Sequence, residues 1–258
     1  MSMDWEEYLK FMDSWDGRVI DPKGFVQLEY ATPVTPKEYL EFADKDLLVN
    51  GNHGLVNSLS NAKRAIDCQI TNLLSVLGLK TSGNIHTKIQ RIEDIGILAP
   101  RIIKKVNKIR NLLEHEFYKP TNDEAEDAVD IATLFVEATD KVFREFMDSW
   151  WVAKDGSANS GHVVTEGNKT IIYNDDLPCI TFSDGLYIQY DQESCDYGLW
   201  GYYENKQVLE AEIKKGSELH IELLKYSILN DHSVVDFDEE GVAIKFIERV
   251  RGKVGISL

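Results

Sequence analysis

Between positions 55 and 77 apolar residues fall at Leu55, Leu59, Ala62, Ile66, Ile70, Leu73 and Leu77. This three-and-four spacing draws one stripe along a helix of 3.6 residues per turn. A helix with such a stripe needs partners to bury it, and the neighbouring sequence supplies them. Upstream, "TPKEYLEFADKDLL" opens with Thr35 as a cap, Pro36 at the first helical position and Glu38 completing a capping box. Downstream, "IHTKIQRIEDIGIL" reads as a shorter helix that stops before Pro100. Ile102, Val106, Ile109 and Leu113 then make another stripe, in a helix that ends at Lys119–Pro120 because the residue before a proline is pushed out of helical geometry. Thr121 and Glu124 form a further capping box, opening a helix with Ala125, Ala128, Ala132, Phe135, Val142 and Phe146 inward that runs to about Trp150.

The period changes after the Gly/Ser-rich "KDGSANSG" at 154–161. Beyond it come short β-rich runs, "HVVT", "KTIIY", "CITF", "LYIQY", "YGLWGYY", "QVLEAEI", "ELHIELLKYSIL" and "VAIKFIERV", separated by turn residues such as "SDG", "YEN" and "KKG". These patterns predict an α+β chain with separate domains. Residues 1–35 form an N-terminal extension with a short amphipathic helix in "DWEEYLKFMDSW" and a strand in "GFVQLEY". An all-α bundle over 36–153, a linker over 154–161 and an antiparallel all-β domain of unknown role over 162–258 follow.

Composition narrows the function. The chain of 258 residues carries a net charge of -16, which opposes any broad, sequence-independent grip on nucleic acid, since that grip rests on bases neutralising phosphates. No apolar run approaches the length of a membrane helix, and "MSMDWEEYLK" has acids where a signal peptide has bases before an apolar run. A soluble, cytoplasmic protein with no membrane partner is expected. Cys68, Cys179 and Cys195 are widely spaced and read as reduced structural thiols, and no cysteine–histidine pattern predicts a metal or other cofactor. The phosphate loop, the dinucleotide fingerprint and the hydrolase elbow are absent. "HEFYK" has Lys119 where a zinc protease needs its second histidine.

One stretch stands against the acidic background. "RIIKKVNKIR", residues 101–110, holds Arg101, Lys104, Lys105, Lys108 and Arg110 without a single acid, and Asn111 and His115 follow directly. The bases fall largely on faces other than the apolar stripe, so a solvated helix face and a local phosphate track are both open readings. His53, His86, His162, His220 and His232 have no such setting and read as structural or exposed.

The segment "ILAPRIIKKVNKIRNLLEHEFYKPTNDEAEDAVDIATLFVEATD", with the earlier "SLSNAKRAIDCQITNLL", resembles the HEPN superfamily of helical domains over about residues 52–150. Catalytic members of that superfamily carry an arginine, usually a polar residue next, and a histidine after four to six intervening positions. Arg110, Asn111 and His115 match this motif. The resemblance implies a metal-independent endoribonuclease that acts as a homodimer through its helical bundle, with the motif of each subunit brought to a shared cleft. It also suggests a toxin or antiviral defence effector; a regulatory protein partner is a further expectation.

Physical chemistry gives each motif residue a task. Cleaving RNA without metal needs a base for the ribose 2′-proton, an acid for the leaving 5′-oxygen and a cation for the phosphorane's charge. Histidine, with an ordinary pKa of about 6.5, suits both proton transfers. Arg110 would hold the scissile phosphate through two donors, Asn111 would orient a catalytic group or the ribose, and Arg101, Lys104, Lys105 and Lys108 would track the backbone. Five residues turn an ideal helix by about 140°, so Arg110 and His115 meet only through local unwinding or a second subunit. Glu114 and Glu116 flank His115, favouring its charged form while repelling phosphate. Two other readings stay open: a non-catalytic HEPN module that binds a nucleotide or a protein, and a ligand-sensing or docking β-rich half supported by the aromatic "DYGLWGYYEN".

Overall fold

The computed structural model describes residues 2–49, 51–97, 119–160 and 180–229. In chain order these form α1 (Trp5–Asp13), β1 (Arg18–Val26), α2 (Pro36–Leu47), α3 (Asn52–Val76), α4 (Ile85–Asp94) and α5 (Asn122–Arg144). Then come β2 (Phe146–Lys154), β3 (Ala158–Ser160), β4 (Ile180–Phe182), β5 (Gly185–Tyr190), β6 (Tyr197–Tyr203), β7 (Lys206–Ile213) and α6 (Glu218–Leu229). Helices and a five-stranded antiparallel sheet make an α+β fold. The helix starts follow the caps: Thr35 with Glu38 and Thr121 with Glu124 both close reciprocal capping boxes. The α3 stripe is buried as its spacing requires, with Leu59, Ala62, Ile66, Ile70 and Leu73 fully shielded.

The sheet has the order β1-β2-β5-β6-β7, and every adjacent pair is antiparallel. Its second strand corrects the expected helix end. Helix α5 stops at Arg144, and Phe146–Lys154 is strand β2 rather than a last helical turn reaching Trp150. Val142, Phe146 and Trp150 suit a helical stripe, but Trp150, Trp151 and Val152 in succession suit a strand buried on both faces, where β-branched and aromatic residues pack best. Trp150 is fully buried on one face and Trp151 nearly so on the other.

The segment before residue 36 is a structural part of the sheet. Strand β1 pairs along β2 from Arg18 opposite Lys154 to Val26 opposite Phe146. As an edge strand it tolerates Pro22, whose missing N–H would break a central ladder. Register shifts fall on both sides of Gly24, where a Cβ would collide with the Asp148 and Ser149 side chains, so only glycine fits. The stretch expected as a linker holds a turn at 155–156 and strand β3, which pairs with β4 in a separate two-stranded sheet.

A second correction concerns "ELHIELLKYSIL", expected among the β runs, which is helix α6. Leu219, His220, Leu223, Leu224 and Ser227 are its buried residues together with Tyr226, and their three-and-four spacing is a helical stripe. Ser217 sets its start, accepting the His220 amide on its hydroxyl at 3.2 Å.

Buried side chains from Trp5 to Tyr226 form one hydrophobic cluster. It joins Leu59 and Ile66 of α3 and Phe135 and Val136 of α5 to Trp150, Ile188 and Leu199 of the sheet. Helices and sheet therefore share a core. The expected boundary at 153/154 falls at the end of β2, whose neighbours β1 and β5 come from opposite sides of it in sequence. The other sheet face carries a smaller cluster of Trp151, Ala153, Phe182 and Tyr187, with Trp200 and Tyr202 packed against it.

Candidate functional site

The residues expected to carry chemistry, Arg101, Lys104, Lys105, Lys108, Arg110, Asn111 and His115, lie outside the described residues, as do His162, His232 and Cys179. The elements on either side of the motif are described, and both ends of its segment are fixed by specific chemistry. Upstream, α4 starts at Asn84, whose side chain accepts the Thr87 amide at 2.9 Å. It ends in a left-handed glycine cap: Gly96, with φ of 82°, donates to the Glu93 carbonyl at 2.9 Å, and Ile97 reaches back to the Ile92 carbonyl at 3.2 Å. This double closure satisfies two of the last helical carbonyls and turns the chain away from the α4 axis. Downstream, the Thr121 amide donates to Glu124 at 2.9 Å, which sets where α5 begins.

The exposed face of α5 is acidic over its first part, with Asp123, Glu126, Asp127 and Asp130 open to solvent and Glu137 further along. Phosphate would be repelled there. Beside the α4 cap a cavity of about 170 Å³ is lined by Ile97, Val142, Phe146 and Ile228, with Lys141, Glu145 and Ser227 as its polar groups. Among the described residues no histidine or cysteine lines it.

Asp140, Tyr30, Cys68 and His220 are engaged structurally. Asp140 of α5, almost wholly buried, accepts from the Tyr30 hydroxyl at 2.5 Å and from Lys37 Nζ at 2.8 Å, with Arg144 Nε at 3.3 Å. Burial alone would raise its pKa, but the hydrogen bonds of Lys37 and Tyr30 and the charges of Lys37 and Arg144 hold it below the ordinary carboxylate value. The Tyr30 phenol is pushed up by its own burial and by that carboxylate. Asp140 thus clasps the chain before α2 to α5.

Next to it, Asn72 of α3 satisfies all of its hydrogen-bonding capacity. Its oxygen accepts the Ala31 and Thr32 amides at 2.7 and 3.1 Å, and its nitrogen donates to Thr32 Oγ1 at 2.8 Å and the Cys68 carbonyl at 2.9 Å. The Cys68 thiol lies 3.2 Å from Thr32 Oγ1, and burial pushes its pKa up against the pull of Thr32 and Asn72. A thiol held protonated is a poor nucleophile. Cys68 and Cys195 are both free.

His220 is fully buried, accepts the Gly216 amide on Nδ1 at 3.3 Å and lies 3.0 Å from the Cys195 carbonyl through Nε2. That pairing assigns the ring proton to Nε2. Burial pushes its pKa down to about 4, against the opposing pull of the Cys195 carbonyl and Asp196. A neutral imidazole that binds two backbone groups is a tie between α6 and the start of β6, not an acid or base open to substrate. Neither this network nor Asn72 and Asp140 stood out in the sequence. Their signal was position, since Gln69, Asn72 and Asp140 are polar residues that continue the buried registers of α3 and α5.

Among the described residues no group of three or more histidine, cysteine, aspartate or glutamate side chains could hold a metal ion, and no helix is long and apolar enough to cross a membrane. No family model, curated protein or solved structure matches this chain.

Proposed function

We propose that this protein is a metal-independent endoribonuclease of the HEPN type, acting through Arg110, Asn111 and His115. One observation carries the reading: an Arg-Asn-x3-His motif begins on the last residue of a ten-residue, acid-free run of five bases in a chain of net charge -16. The helices that flank the motif in the chain, α4 and α5, and the long core helix α3 support it, because the superfamily that the motif resembles is one of helical domains.

In the proposed reaction an imidazole takes the proton of the ribose 2′-hydroxyl and the 2′-oxygen attacks phosphorus. The bond to the 5′-oxygen breaks as an acid, the His115 of another copy, delivers a proton to it. The products are a 2′,3′-cyclic phosphate and a 5′-hydroxyl, and no water is consumed. Arg110 stabilises the charge of the phosphorane, a role whose loss costs about 10²–10³ in rate where a comparable donor is removed. Pairing two copies of the motif makes the active form a homodimer. The acidic surface restricts the substrate to RNA that reaches the basic run, as for an effector in defence or a restrained toxin.

The test is incubation of the purified protein and of its Arg110→Ala and His115→Ala variants with total RNA in EDTA, followed by end-group analysis. The wild type is expected to leave cyclic phosphate ends, and both variants to lose at least a hundredfold in rate while keeping their circular dichroism. Abolition by EDTA, or full activity in His115→Ala, would overturn the mechanism. A second reading, a non-catalytic module that binds a nucleotide or a protein, is favoured by Glu114 and Glu116, which flank His115 and repel phosphate. Dimerisation without cleavage of any RNA pool would select it.

A further inference from the structure

We draw no further inference here: the strongest candidate, the exposed apolar tip at the α2–α3 turn formed by Phe42, Leu48, Val49 and Val56, carries nothing because nothing in the structure shows what covers it.

Discussion

The hydroxyl of Tyr8 accepts the backbone amide of Tyr202 at 3.0 Å, and it donates to the Gly185 carbonyl at 2.5 Å. A side chain from the N-terminal helix thus completes the ladder where β5 and β6 meet at their Gly185–Tyr202 pair. Gly201 makes room for it, since a Cβ there would lie 2.7 Å from the Tyr8 ring. Helix α1 is pinned to the sheet by a hydrogen bond that bridges 194 positions of sequence.

Tyr8→Phe keeps the ring in place and removes only the oxygen, leaving a buried carbonyl and amide without that partner. The expected loss is about 1–3 kcal/mol, the cost of unsatisfied buried backbone groups. Urea denaturation should show a lower midpoint with an unchanged slope. A midpoint equal to the wild type would mean that the two backbone groups find another partner and that the pin is dispensable.

This pin also marks the limit of what could be read from the chain. Local signals were legible: Thr35 with Glu38 and Thr121 with Glu124 place helix starts, and the Leu55–Leu77 spacing gives α3 its buried stripe. Pairing was not. Nothing near Arg18–Val26 says that it lies along Phe146–Lys154, a partner about 130 residues away, because strand pairing is fixed by the completed core. The end of α5 is ambiguous in the sequence because Phe146 and Trp150 satisfy a helical and a strand period at once, and the contacts of β1 and β5 on both sides of β2 decide it. In α6, apolar density suits a strand as well, and only the helical spacing of Leu219, Leu223 and Ser227 tells the two apart. The motif itself was visible only as a pattern of residue types, and its residues lie outside those described.

His220 makes stability sensitive to mild acid. Its folded pKa of about 4 lies below the ordinary value of about 6.5, so the unfolded chain takes up the proton first. The contribution is complete above about pH 6.5 and falls as the pH drops towards 4, by about 3 kcal/mol at most. Urea titrations from pH 7 to 4 should show this slope in the wild type and a shallower one in His220→Gln, whose amide cannot be protonated in that range. Identical slopes would show that His220 already shares the unfolded chain's protonation.

Asp140 acts in a lower window. Its folded pKa is depressed, so its stabilisation is present above the ordinary carboxylate value of about 3.9 and is lost as the pH falls through the folded value. Asp140→Asn should weaken the protein at neutral pH by about 1–3 kcal/mol, most of it from the buried contact with Tyr30, since Lys37 and Arg144 stay largely solvated. It should also flatten the remaining acid limb below about pH 4. A variant as stable as the wild type at pH 7, with the same acid limb, would remove the clasp between the chain before α2 and α5.

The basic run gives the proposed ribonuclease a signature independent of turnover. If Lys104, Lys105 and Lys108 each neutralise a phosphate of single-stranded RNA, the slope of log affinity against log salt should fall by about 0.7 for each one removed. Fluorescence anisotropy of labelled RNA with His115→Ala, which binds without cutting, should therefore lose about two in slope when all three lysines become glutamine. Affinity should weaken to a similar degree across RNA sequences, because phosphate contacts position the strand and carry no sequence information. An unchanged slope would place the run on a merely solvated helix face. The binding-module reading would then take precedence.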